Sequence, residues 1–87
     1  MPIVFVPPQL RSLTGGLETV DIDGGNVRSV VANLDERFPG VNERLCQEDE
    51  LRPGLSISVN GRITSLGLYQ KLQPQDEVHF IPAIGGG

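Results

Sequence analysis

The chain has 87 residues, which is the usual size of one domain and too few for two independent hydrophobic cores. Its 7 basic and 11 acidic side chains give a formal charge of −4. With no basic cluster and few aromatic rings for base stacking, this composition argues against nucleic acid as a partner. Cys46 is the single cysteine, so no intramolecular disulfide and no structural zinc site are expected.

The N-terminal segment suggests a protein that neither enters nor crosses a membrane. Residues 1–8 carry no basic region, and prolines interrupt their short apolar run. These features are unlike those of a signal peptide or a membrane span. Together with the lone cysteine, they lead us to expect a cytoplasmic protein.

Two strands are predicted first. Residues 3–6 are β-branched or aromatic and stop at Pro7-Pro8, which cannot continue a central strand. After the turn motif Thr14-Gly15-Gly16, Val20 and Ile22 alternate with polar residues, as in a half-buried strand. The two strands are predicted to form a hairpin.

One amphipathic helix follows. Asn26 is a good N-cap, because its side chain can accept a hydrogen bond from a free amide of the first turn. Apolar residues then recur at helical spacing, namely Val27, Val30, Val31, Leu34 and Phe38. Pro39-Gly40 is predicted to end the helix, with one further short helical turn around Val41 and Leu45.

The second half of the chain alternates between loops and strands. Residues 47–54 are predicted to form a solvated acidic loop. Residues 55–59 form a third strand, Asn60-Gly61 a tight hairpin turn, and residues 62–64 a short fourth strand. Leu66, Leu68 and Leu72 are expected to cover the core before a last strand over residues 77–81.

This order predicts an α+β fold. A single helix cannot cover both faces of a sheet, so a mixed five-stranded sheet should pack one face on the helix and leave the other in water. With the last strand beside the first, this is a β-grasp arrangement. The first and last strands are then adjacent and parallel at the centre of the sheet.

The C-terminal end differs from the rest of the chain. We predict a folded domain over residues 1–82 and a flexible tail over residues 83–87, because Gly85, Gly86 and Gly87 add nothing to a core and lose the most entropy on ordering. From Pro82 the chain reaches about 20 Å when extended. A tail without side chains can carry the Gly87 carboxylate into a narrow active site of another enzyme.

A free carboxylate is a poor acyl donor until it carries a leaving group. Adenylation by ATP supplies one, and the adenylate can then be attacked by sulfur or by an amine. The tail therefore indicates either a C-terminal thiocarboxylate that carries sulfur or a modifier that is linked to lysine.

Three stretches carry a resemblance along essentially the whole chain. They are residues 10–16 with Thr14-Gly15-Gly16, the Val59-Asn60-Gly61 turn, and residues 75–87 with the terminal glycines. In these stretches the chain resembles the ThiS/MoaD sulfur-carrier family of ubiquitin-like proteins. The resemblance implies that an E1-like enzyme adenylates Gly87 and transfers sulfur to it, while Ile84, Gly85 and Gly86 thread the active site.

The resemblance also implies what the protein is not. The chain is expected to be a co-substrate and not an enzyme. No bound cofactor is expected either, because neither Gly15-Gly16 nor Gly24-Gly25 matches a phosphate-binding loop, and the partner enzyme would hold the ATP. The consumer of the sulfur is open between two alternatives. Thr14-Gly15-Gly16, Phe38-Pro39-Gly40 and Arg44-Leu45-Cys46 are similar both to the carriers that serve cysteine biosynthesis and to the small subunits of molybdopterin synthases. A cysteine-synthase-like enzyme is favoured as the consumer, and the large subunit of a molybdopterin synthase is the alternative. A ubiquitin-like modifier or passive interaction domain is the third reading.

Strand parity suggests a docking surface. The family pattern would place Val4, Val6, Val78 and Phe80 in the core and leave Ile3, Phe5, His79 and Ile81 on the open face. Phe5, His79 and Ile81 would then bind a partner beside the tail. The opposite register, which would bury Phe5, is also compatible with the sequence.

The remaining reactive residue types are interpreted as structural. Cys46 is expected to be a small buried hydrophobic residue and His79 a contact residue without a catalytic role. The pairs Asp35-Glu36 and Asp76-Glu77 are expected to be solvated, since neighbouring residues point apart.

Overall fold

The computed structural model describes residues 1–82 of the chain. The predicted tail, including Ile84, Gly85, Gly86 and Gly87, lies outside the described residues. Among the described residues, no helix is long and apolar enough to cross a membrane.

The main sheet has five strands and two helices accompany it. The strands of the chain are β1 (Ile3–Phe5), β2 (Thr19–Asp21), β3 (Cys46–Gln47), β4 (Glu50–Leu51), β5 (Leu55–Val59), β6 (Arg62–Thr64) and β7 (Glu77–Pro82), and the helices are α1 (Val27–Arg37) and α2 (Val41–Leu45). The order in the main sheet is β2-β1-β7-β5-β6. Strands β1 and β7 are parallel neighbours at its centre, and the other pairs are antiparallel. The predicted mixed β-grasp sheet on one main helix is confirmed.

Helix α1 buries the apolar stripe that the sequence predicts. The Asn26 side chain accepts a hydrogen bond from the Ser29 amide at 2.8 Å, which satisfies one of the free donors of the first turn. Gly40, at φ +105°, takes the left-handed conformation between α1 and α2. The core between the helices and the sheet consists of Val4, Val6, Leu10, Val20, Ile22, Val27, Val30, Val31, Leu34, Val41, Leu45, Cys46, Ile57, Leu68, Leu72, Val78 and Phe80. Phe38 is only partly buried at the edge of this core.

The predicted acidic loop is wrong in part, because β3 and β4 pair as a small hairpin at residues 46–51. Its turn places Glu48 at φ 53° and Asp49 at φ 63°, a left-handed conformation that non-glycine residues adopt uncommonly. Buried Cys46 fixes the hairpin to the core. The sequence does not reveal this strand pair, because its turn lacks the residues that usually mark one.

Leu66 was expected to cover the core and is 56% exposed instead. Leu68, on the 3-10 helix Gly67–Tyr69, and Leu72 are both buried there. A short 3-10 turn has three residues per turn, so it can direct only some of a cluster of leucines inward.

Both acidic pairs take part in the fold. The Asp35 carboxylate accepts hydrogen bonds from the amides of Gly40 and Asn42 at 3.1 and 3.0 Å and so joins α1 to α2. The Asp76 carboxylate accepts from the Asn60 side chain at 2.7 Å, beside the predicted turn. Asn60 and Gly61 have φ 52° and 85°, as that turn requires. These two carboxylates hold backbone segments in place.

Candidate functional site

The register of the two central strands decides which side chains face solvent. Val4 lies opposite Val78, and both are fully buried against the helices. Phe5 lies opposite His79, so these two side chains point to the other face of the sheet. The register that leaves Phe5 on the open face is therefore confirmed, and the register that buries it is wrong.

The open face is defined here by Ile3, Phe5, His79 and Ile81. The Phe5 and His79 rings are stacked, with centroids 4.0 Å apart and planes inclined by 14°. Ile3, Phe5 and His79 are half-buried, and Ile81 is 39% exposed. Ser58, the partner of His79 on β5, is buried beside the stack. The result is an aromatic pair flanked by two isoleucines on the open face of the two central strands, with Glu77 opposite Ile3 at one end.

A groove of about 390 Å³ runs along one end of this face. Phe5, His79 and Ile81 are among the residues that line it, and so are Pro7 and Arg11, which the sequence did not single out. The sequence could have placed Pro7 and Arg11 there. Because β1 and β7 were predicted to be parallel, the residues that follow β1 must lie at the same end of the sheet as the last residues of β7.

Arg11 is held in place at the groove. Its Nε donates a hydrogen bond to the Val6 carbonyl at 3.3 Å, and its guanidinium lies 3.7 Å from the Glu18 carboxylate. The Arg11 side chain is 37% exposed, so this ion pair is solvated and contributes little to stability. The pair gives the groove rim one charge of each sign.

Strand β7 leads directly from the open face to the C-terminal residues. It ends at Pro82, which pairs with Leu55, and Ile81 just before it lines the groove. The last described residues of the chain therefore lie next to the groove. The roles predicted for Ile84, Gly85, Gly86 and Gly87 stay predictions, since these residues lie outside the described part of the chain.

Cys46 is the one thiol of the chain, and it is 9% exposed. Burial raises the pKa of the Cys46 thiol, an effect that the nearby Arg28 guanidinium partly opposes. The thiol is therefore held in its protonated, weakly nucleophilic form. Over residues 1–82, no cluster of three or more His, Cys, Asp or Glu side chains is arranged to hold a metal ion.

The strand order and the single main helix define a ubiquitin-like β-grasp domain, and the comparison with known families is specific. The profile of the ThiS family matches residues 4–87. The sulfur carrier protein CysO of Mycobacterium tuberculosis is 33% identical over 91 aligned residues, which cover 97% of this chain and 96% of CysO. CysO of Mycobacterium bovis matches equally. The chain belongs to the ThiS family.

Solved structures agree with this assignment. The chain superposes on one chain of the Amycolatopsis orientalis BexX/CysO complex structure with a TM-score of 0.92, at 28% identity. The superposition covers all of this chain and all of that chain. Mycobacterium tuberculosis CysO superposes with a TM-score of 0.88, at 29% identity over 97% of this chain and all of CysO. The small archaeal modifier protein 1 of Methanosarcina acetivorans gives 0.82, at 22% identity over 99% of this chain and 95% of that protein. This last likeness shows the shared fold alone.

Proposed function

We propose that this protein is a sulfur carrier that is loaded as a thiocarboxylate at Gly87 and delivers its sulfur to a cytoplasmic enzyme of cysteine synthesis. It is a co-substrate and not an enzyme. The observation that carries the proposal is the likeness to sulfur carrier proteins along almost the whole chain, within a family match that extends to Gly87.

The chemistry takes place on the partner enzymes. In the first step, the Gly87 carboxylate attacks ATP, pyrophosphate leaves, and an acyl-adenylate forms. In the second step, a sulfide sulfur attacks the acyl carbon, the bond to AMP breaks, and the thiocarboxylate remains. The chain supplies the acyl group and a docking surface, and the activating enzyme supplies the ATP site.

The open face is the surface by which the activating enzyme holds the domain. Two features support this assignment of the activating enzyme to the open face. The face is apolar and aromatic, as the centre of a protein interface is. It adjoins the end of β7, and four residues separate Pro82, the last residue of that strand, from Gly87. An enzyme that binds the open face therefore keeps the acyl group of Gly87 within reach of its own active site.

Cysteine synthesis is favoured over the alternatives by sequence. The relatives with 33% identity are named CysO. No comparable sequence relative supports the alternative, the small subunit of a molybdopterin synthase. A ubiquitin-like modifier is not favoured either, because the likeness to archaeal modifier proteins at 22 and 24% identity reflects the fold alone.

The test of the function is the intact mass of the protein purified from its own cells. We expect a fraction of the chains to show the increase that replacement of one oxygen by sulfur causes, and fragmentation to place it on Gly87. The fraction should grow on incubation with the activating enzyme, ATP and sulfide. A terminus that stays unmodified under these conditions would contradict the proposal.

Localisation of the added mass is the essential control. Oxidation of Met1 or Cys46 adds one oxygen and gives nearly the same increase as exchange of oxygen for sulfur. Alkylation of the thiocarboxylate before digestion separates the two, because an oxidised methionine does not react.

The docking role of the open face predicts the effect of a charge on it. We expect Ile81→Asp to raise the KM of the activating enzyme for the carrier about tenfold, because a buried interface contact of this kind contributes roughly 1.4 kcal/mol or more. The carboxylate would be desolvated without a partner when the enzyme binds.

The matched control is Leu66→Asp. Leu66 is 56% exposed and lies away from the open face, next to Leu51 and Tyr69. This variant introduces the same charge and should leave the KM within about twofold. Equal effects of the two substitutions would mean that the open face does not bind the activating enzyme.

A further inference from the structure

Strand β6 forms one free edge of the main sheet, and its central residue is apolar and exposed. Ile63 is 68% exposed, and among the large apolar side chains of residues 1–82 only Tyr69 is more exposed. Ile63 pairs with Ser58, which pairs with His79, so its side chain lies on the open-face side of the sheet. An exposed isoleucine on an edge strand indicates a surface that can pair with another chain.

The backbone of Ile63 points away from the sheet. Asn60 N donates to the Glu77 carbonyl at 2.9 Å, and bonded pairs alternate along antiparallel strands, so the Ser58 backbone bonds to β7. Ser58 therefore directs no backbone group at Ile63, its partner on β6. The N–H and C=O of Ile63 must then point to the free edge. Among residues 1–82, no turn or loop hydrogen bond takes up either group.

The two free edges of the sheet differ in charge. At the β2 edge, the Val6 amide donates to the Glu18 carbonyl at 2.8 Å, so the same alternation directs the backbone of Asp21 outward. A second copy paired there would crowd the exposed carboxylates of Glu18 and Asp21 against those of its neighbour. At the β6 edge, Arg62 and Thr64 flank the central isoleucine, and no residue of the strand is acidic. Of the two edges, β6 is therefore the one that can pair with itself.

Antiparallel pairing about Ile63 fixes where the flanking residues lie. When Ile63 faces Ile63 of the second copy, Arg62 of each copy lies opposite Thr64 of the other. Thr64 pairs with Ile57, which is 1% exposed within the core, so Arg62 and Thr64 point to the helix side of the sheet. The Arg62 guanidinium therefore meets the helix side of the second copy and not its open face.

The helix side carries two carboxylates at this edge. Ser65, directly after Thr64, lines a groove of about 250 Å³ together with Asp49 and Glu50. Neither carboxylate belongs to an ion pair within the described residues 1–82. Arg62 of the second copy lies opposite Thr64, next to this groove, and the symmetry forms the contact twice. The chain therefore offers opposite charges to its own copy at the β6 edge.

We propose that this protein forms a weak symmetric dimer through its β6 edges, which joins the two sheets into one continuous sheet. The two Ile63 residues exchange a pair of backbone hydrogen bonds and pack their side chains at the two-fold axis, and the Arg62 contacts close the interface on the helix side. Strand β6 has three residues, so the interface belongs to the small, transient class. We expect a Kd of about 0.1 mM. Formation of the dimer requires neither the activating enzyme nor sulfur.

Sedimentation equilibrium of the full-length protein, from about 20 μM to about 1 mM, tests the dimer. We expect the mean mass to rise from that of the monomer toward that of the dimer. Ile63→Lys should raise the Kd at least about tenfold, because two like charges then meet at the axis. The matched control is Leu17→Lys. Leu17 is 44% exposed and precedes β2 at the other edge, so this variant should leave the Kd within about twofold.

A charge exchange tests the register. Arg62→Glu should raise the Kd about fivefold, because each attraction across the interface becomes a repulsion. Glu50→Arg alone should also weaken the dimer. When the two substitutions are combined, the opposite charges face one another again, and the Kd should return to within about twofold of the wild-type value.

Amide hydrogen exchange tests the interface in the unmodified protein, where no variant can introduce a folding defect. Between about 20 μM and about 1 mM, we expect exchange of the Ile63 amide to slow at least about threefold, because the dimer bonds it. The Asp21 amide, which points out of the β2 edge, should exchange at the same rate at both concentrations.

Four results would each refute the proposal. They are a monomer at every concentration, a dimer that Ile63→Lys leaves intact, a Kd that the combined charge exchange does not restore, and protection of the Asp21 amide in place of the Ile63 amide.

Discussion

Removal of Gly86 and Gly87 is expected to abolish sulfur loading and to leave the domain folded. The acyl group that the activating enzyme adenylates would then end at Gly85, two residues short of its position in the full chain. Two residues span about 7 Å, whereas a displacement of even 1 Å can reduce a rate about a hundredfold. The measurement is the fraction of thiocarboxylate formed with the activating enzyme, ATP and sulfide.

Folding should be unaffected, because the buried apolar residues of the described core all lie between Val4 and Phe80. We expect the thermal midpoint to change by less than about 2 °C. A matched variant with one alanine added after Gly87 keeps every residue and moves only the carboxylate. It should also fail to load. Retained loading in either variant would show that sulfur is carried elsewhere, and loss of the fold would show that the terminal residues stabilise the domain.

Substitution of Gly24 by alanine is expected to destabilise the domain by roughly 2 kcal/mol or more, within the range of overpacked sites. A Cβ at this position would lie 2.7 Å from Val30 Cγ2 and 2.8 Å from the Val30 backbone nitrogen. Backbone of α1 cannot move aside as a flexible side chain can, so the start of the helix must shift away from β2. Urea denaturation of the purified protein would measure the loss as a lower midpoint.

The neighbouring Gly25 provides the control. A Cβ built there meets no heavy atom within 4 Å. We expect Gly25→Ala to change the free energy of unfolding by less than about 0.5 kcal/mol. The comparison is informative because both substitutions add one methyl group to the same connection between β2 and α1. Similar midpoints for the two variants would mean that the helix start is not packed as described.

Local patterns were sufficient to predict most of the elements. The N-cap at Asn26, the apolar spacing of α1 and the Asn60-Gly61 turn each depend on a few adjacent residues, and the structure confirms them. The hairpin at residues 46–51 was missed, because Glu48 and Asp49 adopt left-handed conformations although no glycine or asparagine marks the turn.

The candidate site also has one part that the sequence predicts and one part that it leaves open. The chemistry of a terminal carboxylate on glycines can be read from the sequence. The open face could not be settled at that level, because a shift of one residue between β1 and β7 would have buried Phe5 and exposed Val4.

The sequence by itself therefore determined the order of the main helix and of the five strands of the main sheet, and the reactive end of the chain, since local spacing and residue chemistry dictate these features. The β-grasp topology was inferred from that order. Only the tertiary structure decided the register that stacks Phe5 on His79 and the place of Arg11 at the groove. The physical reason is that these features depend on pairing between segments far apart in the chain, where the packing of the whole core selects one arrangement.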